Sequence, residues 1–185
     1  MGEASAAAQN LKNPITSGAK MMAAEGQTVY MLVDRAAGGG QGAVIGMLKV
    51  GRKKLFLLDQ AGKPNEMSPM CVLDFYVTEK RQRTGCGKKL FETMLRREEV
   101  EPKYLAVDRP SEKLISFLRK HYGLANIIPQ VKLRQKSKIM VIYYLLGEQL
   151  CNFFWILQRP APVSDGFSPK EGEDLHGKVT ICVVM

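Results

Sequence analysis

Gln82-Arg83-Thr84-Gly85-Cys86-Gly87 stands between two segments of different periodicity. Before it, residues 70–77 form an apolar, β-branched and aromatic run that reads as a buried strand. After it, residues 88–97 carry Leu90, Phe91, Met94 and Leu95 on one face, the pattern of a helix packed on a sheet. The first N–H groups of a helix have no partner within the helix, and glycines there let a ligand reach the backbone with no Cβ in the way. A strand that ends in glycines at a helix start is therefore an anion site, and a pyrophosphate fits it. Two familiar phosphate motifs fail on spacing: Gly-x4-Gly-Lys-Ser/Thr is absent, and Leu90 stands where G-x-G-x-x-G needs its third glycine. A glycine-rich turn that binds nothing has the same local pattern, so the neighbouring elements decide.

Those neighbours read as one α/β domain. Residues 4–11 are alanine-rich and favour helix, and Asn13 with Pro14 at N1 predicts a second short helix over residues 15–24. Residues 28–33, 43–50 and 53–59 read as an antiparallel meander, with a glycine-rich connection at 35–42 and a polar loop at 60–68. A short buried strand is expected over 104–107, followed by a helix over 112–122 capped by Ser111. Residues 139–146 and 150–157 read as two strands turned at Gly147; Glu148, Gln149 and Asn152 offset the apolar content that a membrane span would need. The domain is expected over residues 1–158. The Pro, Gly and charge content of 159–185 predicts a disordered tail.

A chain of 185 residues buries about 70% of its unfolded surface as one domain. The net charge of +9 calls for an acidic partner, but no RNA-binding aromatic signature, zinc-finger spacing or heptad repeat is present, so no nucleic acid is expected. Cys71, Cys86, Cys151 and Cys182 form no C-x-x-C pair and have only His121 and His176 for company, so no metal site is expected. Residues 1–9 lack a basic start followed by an apolar stretch, which predicts a reducing compartment with free thiols. Cys182-Val183-Val184-Met185 satisfies the C-a-a-X pattern, so a membrane enters only through prenylation of Cys182.

The loop resembles the Q/R-x-x-G-x-G/A loop of GNAT N-acetyltransferases. In chain order, Cys71-Val72-Leu73-Asp74-Phe75-Tyr76, the loop itself, Val100-Glu101-Pro102, Ala106-Val107-Asp108-Arg109-Pro110-Ser111, Lys120-His121-Tyr122 and Pro129-Gln130-Val131 resemble the α-tubulin N-acetyltransferase family. Ala8-Gln9-Asn10-Leu11, Pro14-Ile15-Thr16-Ser17 and Val50-Gly51 with Lys53-Lys54-Leu55-Phe56 fit the same family, so the likeness covers about residues 4 to 131. Relative to it, a first strand and some helix are missing, which implies an unpaired sheet edge, and residues 132–151 are atypical.

The resemblance implies a GNAT-like α/β fold, a mixed central sheet flanked by helices, and acetyl transfer from acetyl-CoA to a lysine of α-tubulin on the microtubule lumen. It implies Gln9, Cys71 and Asp108 as catalytic residues. Asp108 and Cys71 handle protons, and Gln9, a neutral amide, positions the lysine or a water. It implies cofactor contacts from Phe75-Tyr76-Val77-Thr78-Glu79-Lys80-Arg81-Gln82-Arg83-Thr84-Gly85-Cys86-Gly87-Lys88 and from Ser111-Glu112-Lys113-Leu114-Ile115-Ser116-Phe117-Leu118-Arg119-Lys120. Arg83, Arg109 and Lys53 are the implied tubulin contacts. A monomer in the cytoplasm on microtubules, ciliary axonemes and axons follows. The alternative is a catalytically impaired variant that binds microtubules or acyl-CoA. From the residues alone, Cys71 is an ordinary core thiol and Asp108 a turn carboxylate.

Overall fold

The computed structural model describes residues 1–58, 64–108, 110–124, 126–130, 140–144, 174–175 and 179–185. Its strands are β1 (Gln27–Asp34), β2 (Ala43–Arg52), β3 (Leu55–Leu58), β4 (Pro64–Met67), β5 (Met70–Val77), β6 (Ala106–Asp108), β7 (Asn126–Gln130), β8 (Met140–Tyr144), β9 (Asp174–Leu175) and β10 (Val179–Val184). The helices are α1 (Gly2–Ala8), α2 (Gly18–Met22), α3 (Cys86–Arg97) and α4 (Glu112–Tyr122). Two compact units result. One holds Met1–Gly51, Val72–Glu98 and the C-terminal strand; the other holds Arg52–Cys71 and the described residues from Glu99 to Tyr144.

In the first unit the strands run in the order β5-β2-β1-β10-β9. The sheet is mixed, because β1 is antiparallel to β2 and parallel to β10. Alternate residues of a strand face opposite sides, and β5 uses this to hold helices on both. The ring of Phe75 lies 5.8 Å from that of Phe91 on α3, while Asp74 next to it takes a hydrogen bond from Ser5 of α1. On the α3 side Tyr30, Leu90, Phe91 and Met94 are at or below 1% exposure. Gly46 of β2 lets α3 approach: a Cβ there would lie 3.3 Å from Leu90 and 3.4 Å from Leu32.

The sheet edge expected to be unpaired is covered. Gln27–Leu32 of β1 pair in register with Val179–Val184, so the disordered-tail reading fails over those residues. The reason is local. Val179-Thr180-Ile181-Cys182-Val183-Val184 is a β-branched run, and its Cys182 and Val184 are buried while Val183 is exposed. Tyr30 donates a 2.7 Å hydrogen bond to Glu98 at the end of α3, and Arg97 beside it reaches Cys182, which ties β10 to the core.

Two further expectations change. The second helix starts at Gly18 with Ser17 as its cap, accepting from the Lys20 N–H at 3.3 Å, because Thr16 commits its side chain to Asp74 instead. The meander stops after β2: β3 pairs with β4, taken from the segment read as a polar loop. Leu55 and Met67 stand opposite each other in that pair, both buried.

In the second unit β7, β8 and β6 form an antiparallel array. Met140–Tyr144 is thus the strand expected there, whereas residues 145–157, with Gly147, lie outside the described residues. Among the described residues no helix is long and apolar enough to cross a membrane. Helix α4 begins as the sequence predicts, with Ser111 Oγ accepting from the Leu114 N–H at 3.2 Å. It ends at Gly123 with φ 66°, the left-handed geometry glycine supplies at a helix terminus.

Candidate functional site

The loop after β5 is shaped by its own side chains. Thr78 N–H donates to Ile45 at 2.9 Å, holding the strand end on β2. Gln82 folds back to donate from Nε2 to the Val77 carbonyl at 2.8 Å, and Thr84 donates to the Arg81 carbonyl at 2.8 Å. Arg81 is ion-paired with Asp34 of β1. Arg83 and Gly85 take φ values of 63° and 89°, so the chain reverses sharply just before α3. Gly85 is the N-cap of that helix, and no side chain caps it. The first helical bond is Lys89 N–H to Gly85 at 3.0 Å, which leaves the N–H groups of Cys86, Gly87 and Lys88 without a partner in the helix.

A dianionic pyrophosphate fits this donor set. The N–H groups and the helix dipole point at one spot, a left-handed Gly85 has no neighbour within 4 Å of where a Cβ would sit, and Arg83 has no acidic partner among the described residues. Lys88 reaches Glu92 at 3.5 Å through an exposed pair that yields readily to a ligand.

The second stretch with implied cofactor contacts, Ser111 to Lys120, is the cap and body of α4 in the second unit. Leu114 and Leu118 are buried, whereas Lys113, Ser116 and Lys120 are exposed at helical spacing on a shared face.

Gln9 caps the C-terminus of α1 in the first unit. Asn10, at φ 53°, and the bonds Leu11 N–H to Ala6 at 2.9 Å and Asn10 N–H to Ala7 at 3.1 Å end the helix in a Schellman turn. Its side chain belongs to a cluster the sequence reading did not find. Ser5 and Thr16 each donate to Asp74 at 2.7 Å, and Gln9 Nε2 donates to Ser5 Oγ at 2.9 Å. A charged residue inside an apolar strand was the available signal.

Cys71 belongs to the second unit, is fully buried, and its thiol lies 3.4 Å from the Pro69 carbonyl. Asp108 ends β6 of the same unit, in register with Met140 of β8. Lys53 is exposed there, and Arg109 lies outside the described residues. Cys182, the first residue of the C-a-a-X pattern, is buried in β10 at 4% exposure. Burial pushes its thiol pKa up against the opposing pull of Arg97.

Comparison with known proteins bears on the same residues. The profile of the family described as "GNAT acetyltransferase, Mec-17" matches residues 1–133, which include Gln9, Asp74, the glycine loop and α4. The chain is 54% identical over 131 residues to alpha-tubulin N-acetyltransferase 1 of Danio rerio, covering 71% of this chain and 44% of that protein. It is 52% identical over 132 residues to the Drosophila melanogaster protein of the same name, covering 70% and 28%. It is 52% identical over 123 residues to alpha-tubulin N-acetyltransferase of Trichoplax adhaerens, covering 66% and 51%. The chain thus spans about half or less of the length of these curated relatives. With the profile covering most of the chain and the strand, glycine loop and uncapped helix in place within it, the chain belongs to the GNAT acetyltransferase, Mec-17 family.

Proposed function

We propose that this chain transfers the acetyl group of acetyl-CoA to a lysine side chain of α-tubulin on the luminal face of the microtubule. The observation that carries the reading is the uncapped N-terminus of α3 behind Gly85, the donor set a CoA pyrophosphate needs, in a chain 52–54% identical over 123–132 residues to proteins named for this activity.

Bound acetyl-CoA supplies an activated thioester carbonyl. The residues of this chain then have three tasks. The loop from Phe75 to Lys88 binds the pantetheine and pyrophosphate through backbone N–H groups, and Arg83 and Lys88 add positive charge. Lys113, Ser116 and Lys120 of α4 serve the adenosine side. A lysine amine with a pKa of about 10.4 must lose a proton before it attacks. Asp108 takes that proton, Cys71 assists in returning a proton to the departing CoA sulfur as the C–S bond breaks, and Gln9 orients the amine. Lys53, Arg83 and Arg109 contact tubulin, and the net charge of +9 suits an acidic partner surface. The enzyme acts as a monomer in the cytoplasm, on microtubules of axonemes and axons. Prenylation of Cys182 requires β10 to leave the sheet, because the residues a transferase must grip are paired with β1.

The test is incubation of the purified chain with polymerised tubulin and labelled acetyl-CoA. Label on α-tubulin that is lost in Asp108→Asn and in Gln9→Ala supports the proposal. No transfer to any protein contradicts it, and a melting temperature that still rises with acetyl-CoA would then leave an acyl-CoA-binding protein.

A further inference from the structure

Asp74 is 3% exposed in the middle of an apolar strand, and none of the steps above uses it. Its two oxygens are held from different segments. Thr16 Oγ1 donates to Oδ2 at 2.7 Å and Ser5 Oγ donates to Oδ1 at 2.7 Å. A hydroxyl has a single proton. With that proton donated toward Asp74, Ser5 Oγ offers Gln9 only lone pairs, and Gln9 approaches it at 2.9 Å and Oδ1 at 3.5 Å. The end of the Gln9 amide facing this cluster must therefore be the NH2 end. A carbonyl oxygen in the same place would meet lone pairs and a carboxylate with no proton between them. Oε1 is thereby assigned to the other end of the amide, where it has no protein partner among the described residues.

We propose that Asp74, acting through Ser5, is a positioning residue that locks the Gln9 amide so that Oε1 accepts a hydrogen bond from the substrate amine. The chain of command runs from a buried carboxylate to a hydroxyl to an amide. It explains how a neutral glutamine orders an amine: the N–H to Oε1 bond fixes the amine's rotation before its lone pair meets the thioester. Thr16 steadies the same carboxylate and, among the described residues, has no hydrogen bond with Gln9, which makes it a matched control.

The inference rests on Gln9 acting as proposed above. Steady-state kinetics of the full chain with polymerised tubulin and acetyl-CoA test it through Ser5→Ala and Thr16→Val. Each removes one hydrogen bond to Asp74, but only the first also removes the 2.9 Å bond from Gln9, leaving it the longer 3.5 Å approach to Oδ1. Ser5→Ala is expected to lower kcat about 10- to 100-fold with the KM for acetyl-CoA unchanged. Thr16→Val keeps kcat within about twofold while lowering the melting temperature as much. Ser5→Thr, which restores the hydroxyl, recovers the rate, and Ser5→Ala adds no further loss to Gln9→Ala. Equal kcat losses in Ser5→Ala and Thr16→Val, or additive losses in the double variant, overturn the inference while leaving the proposed function standing. A fully active Gln9→Ala overturns the inference together with the role given to Gln9, while the transfer reaction itself stands. Should Ser5→Ala fail to fold, Gln9→Glu serves: it keeps an acceptor but sets a second carboxylate against Asp74, and unchanged activity in it also overturns the inference.

Discussion

Strand β5 ends at Val77 in a loop whose recognition groups are backbone N–H groups, whereas at Asp74 the same strand holds a carboxylate bound by side chains 58 and 69 residues away. The loop is exposed and can exchange its partners for a ligand. The Asp74 cluster is buried and already complete. Among the described residues the first leaves donors open, and the second leaves only the far end of Gln9 without a partner. Backbone donors need only a conformation, so a substitution that alters φ damages the loop. The cluster needs particular side-chain atoms, so loss of one oxygen damages it.

The largest effect expected is on the buried side. Asp74→Ala strands two hydroxyls, those of Ser5 and Thr16, and lowers stability by about 3 kcal/mol. The urea midpoint should fall with an unchanged slope. A loss under about 0.5 kcal/mol would mean that water replaces the carboxylate and that the cluster is not dry. Next is Gly85→Val, where a β-branched residue must adopt φ 89°. It should cost about 2 kcal/mol and remove the thermal shift caused by acetyl-CoA. A retained shift would mean that the loop does not depend on its backbone shape.

Tyr30→Phe is expected to cost about 1 kcal/mol at neutral pH by deleting the bond to Glu98. It also carries a pH signature. Burial first, and then the hydrogen bond to Glu98, hold the Tyr30 hydroxyl above its ordinary value of 10.0. A raised folded-state pKa gives stability that is whole below the unfolded value and is lost as pH rises above about 10. Cys182 is shifted in the same direction. Denaturation curves of Tyr30→Phe should therefore fall less steeply above pH 10 than those of the parent chain. The smallest effect belongs to Lys88→Ala, whose exposed pair with Glu92 contributes less than about 0.5 kcal/mol. Its consequence should appear in acetyl-CoA affinity instead.

The same contrast explains what could be read in the sequence. The glycine loop and the Ser111 cap are written in consecutive residues, and the buried face of α3 in periodic ones. Local patterns carry them. Ser5, Thr16 and Asp74 meet only because the chain folds α1 and the segment before α2 onto β5, and no spacing records that. Val179–Val184 fell between the two cases. Its β-branched run was visible, but the Pro, Gly and charged residues before it outweighed six residues of strand propensity. The expected cap at Asn13 gives way for the same reason, since the tertiary bond from Thr16 to Asp74 holds that side chain outside the helix.

In the proposed function the backbone of this loop takes the pyrophosphate of acetyl-CoA. Titration calorimetry on the full chain with acetyl-CoA and with acetyl-pantetheine, which keeps the thioester but lacks the pyrophosphate and the adenosine, tests it, with Gly85→Val isolating the part the loop supplies. Acetyl-CoA should bind at least tenfold more tightly, a gap of about 1.4 kcal/mol, and Gly85→Val should narrow the gap. Equal affinity for the two ligands in the parent chain would contradict it.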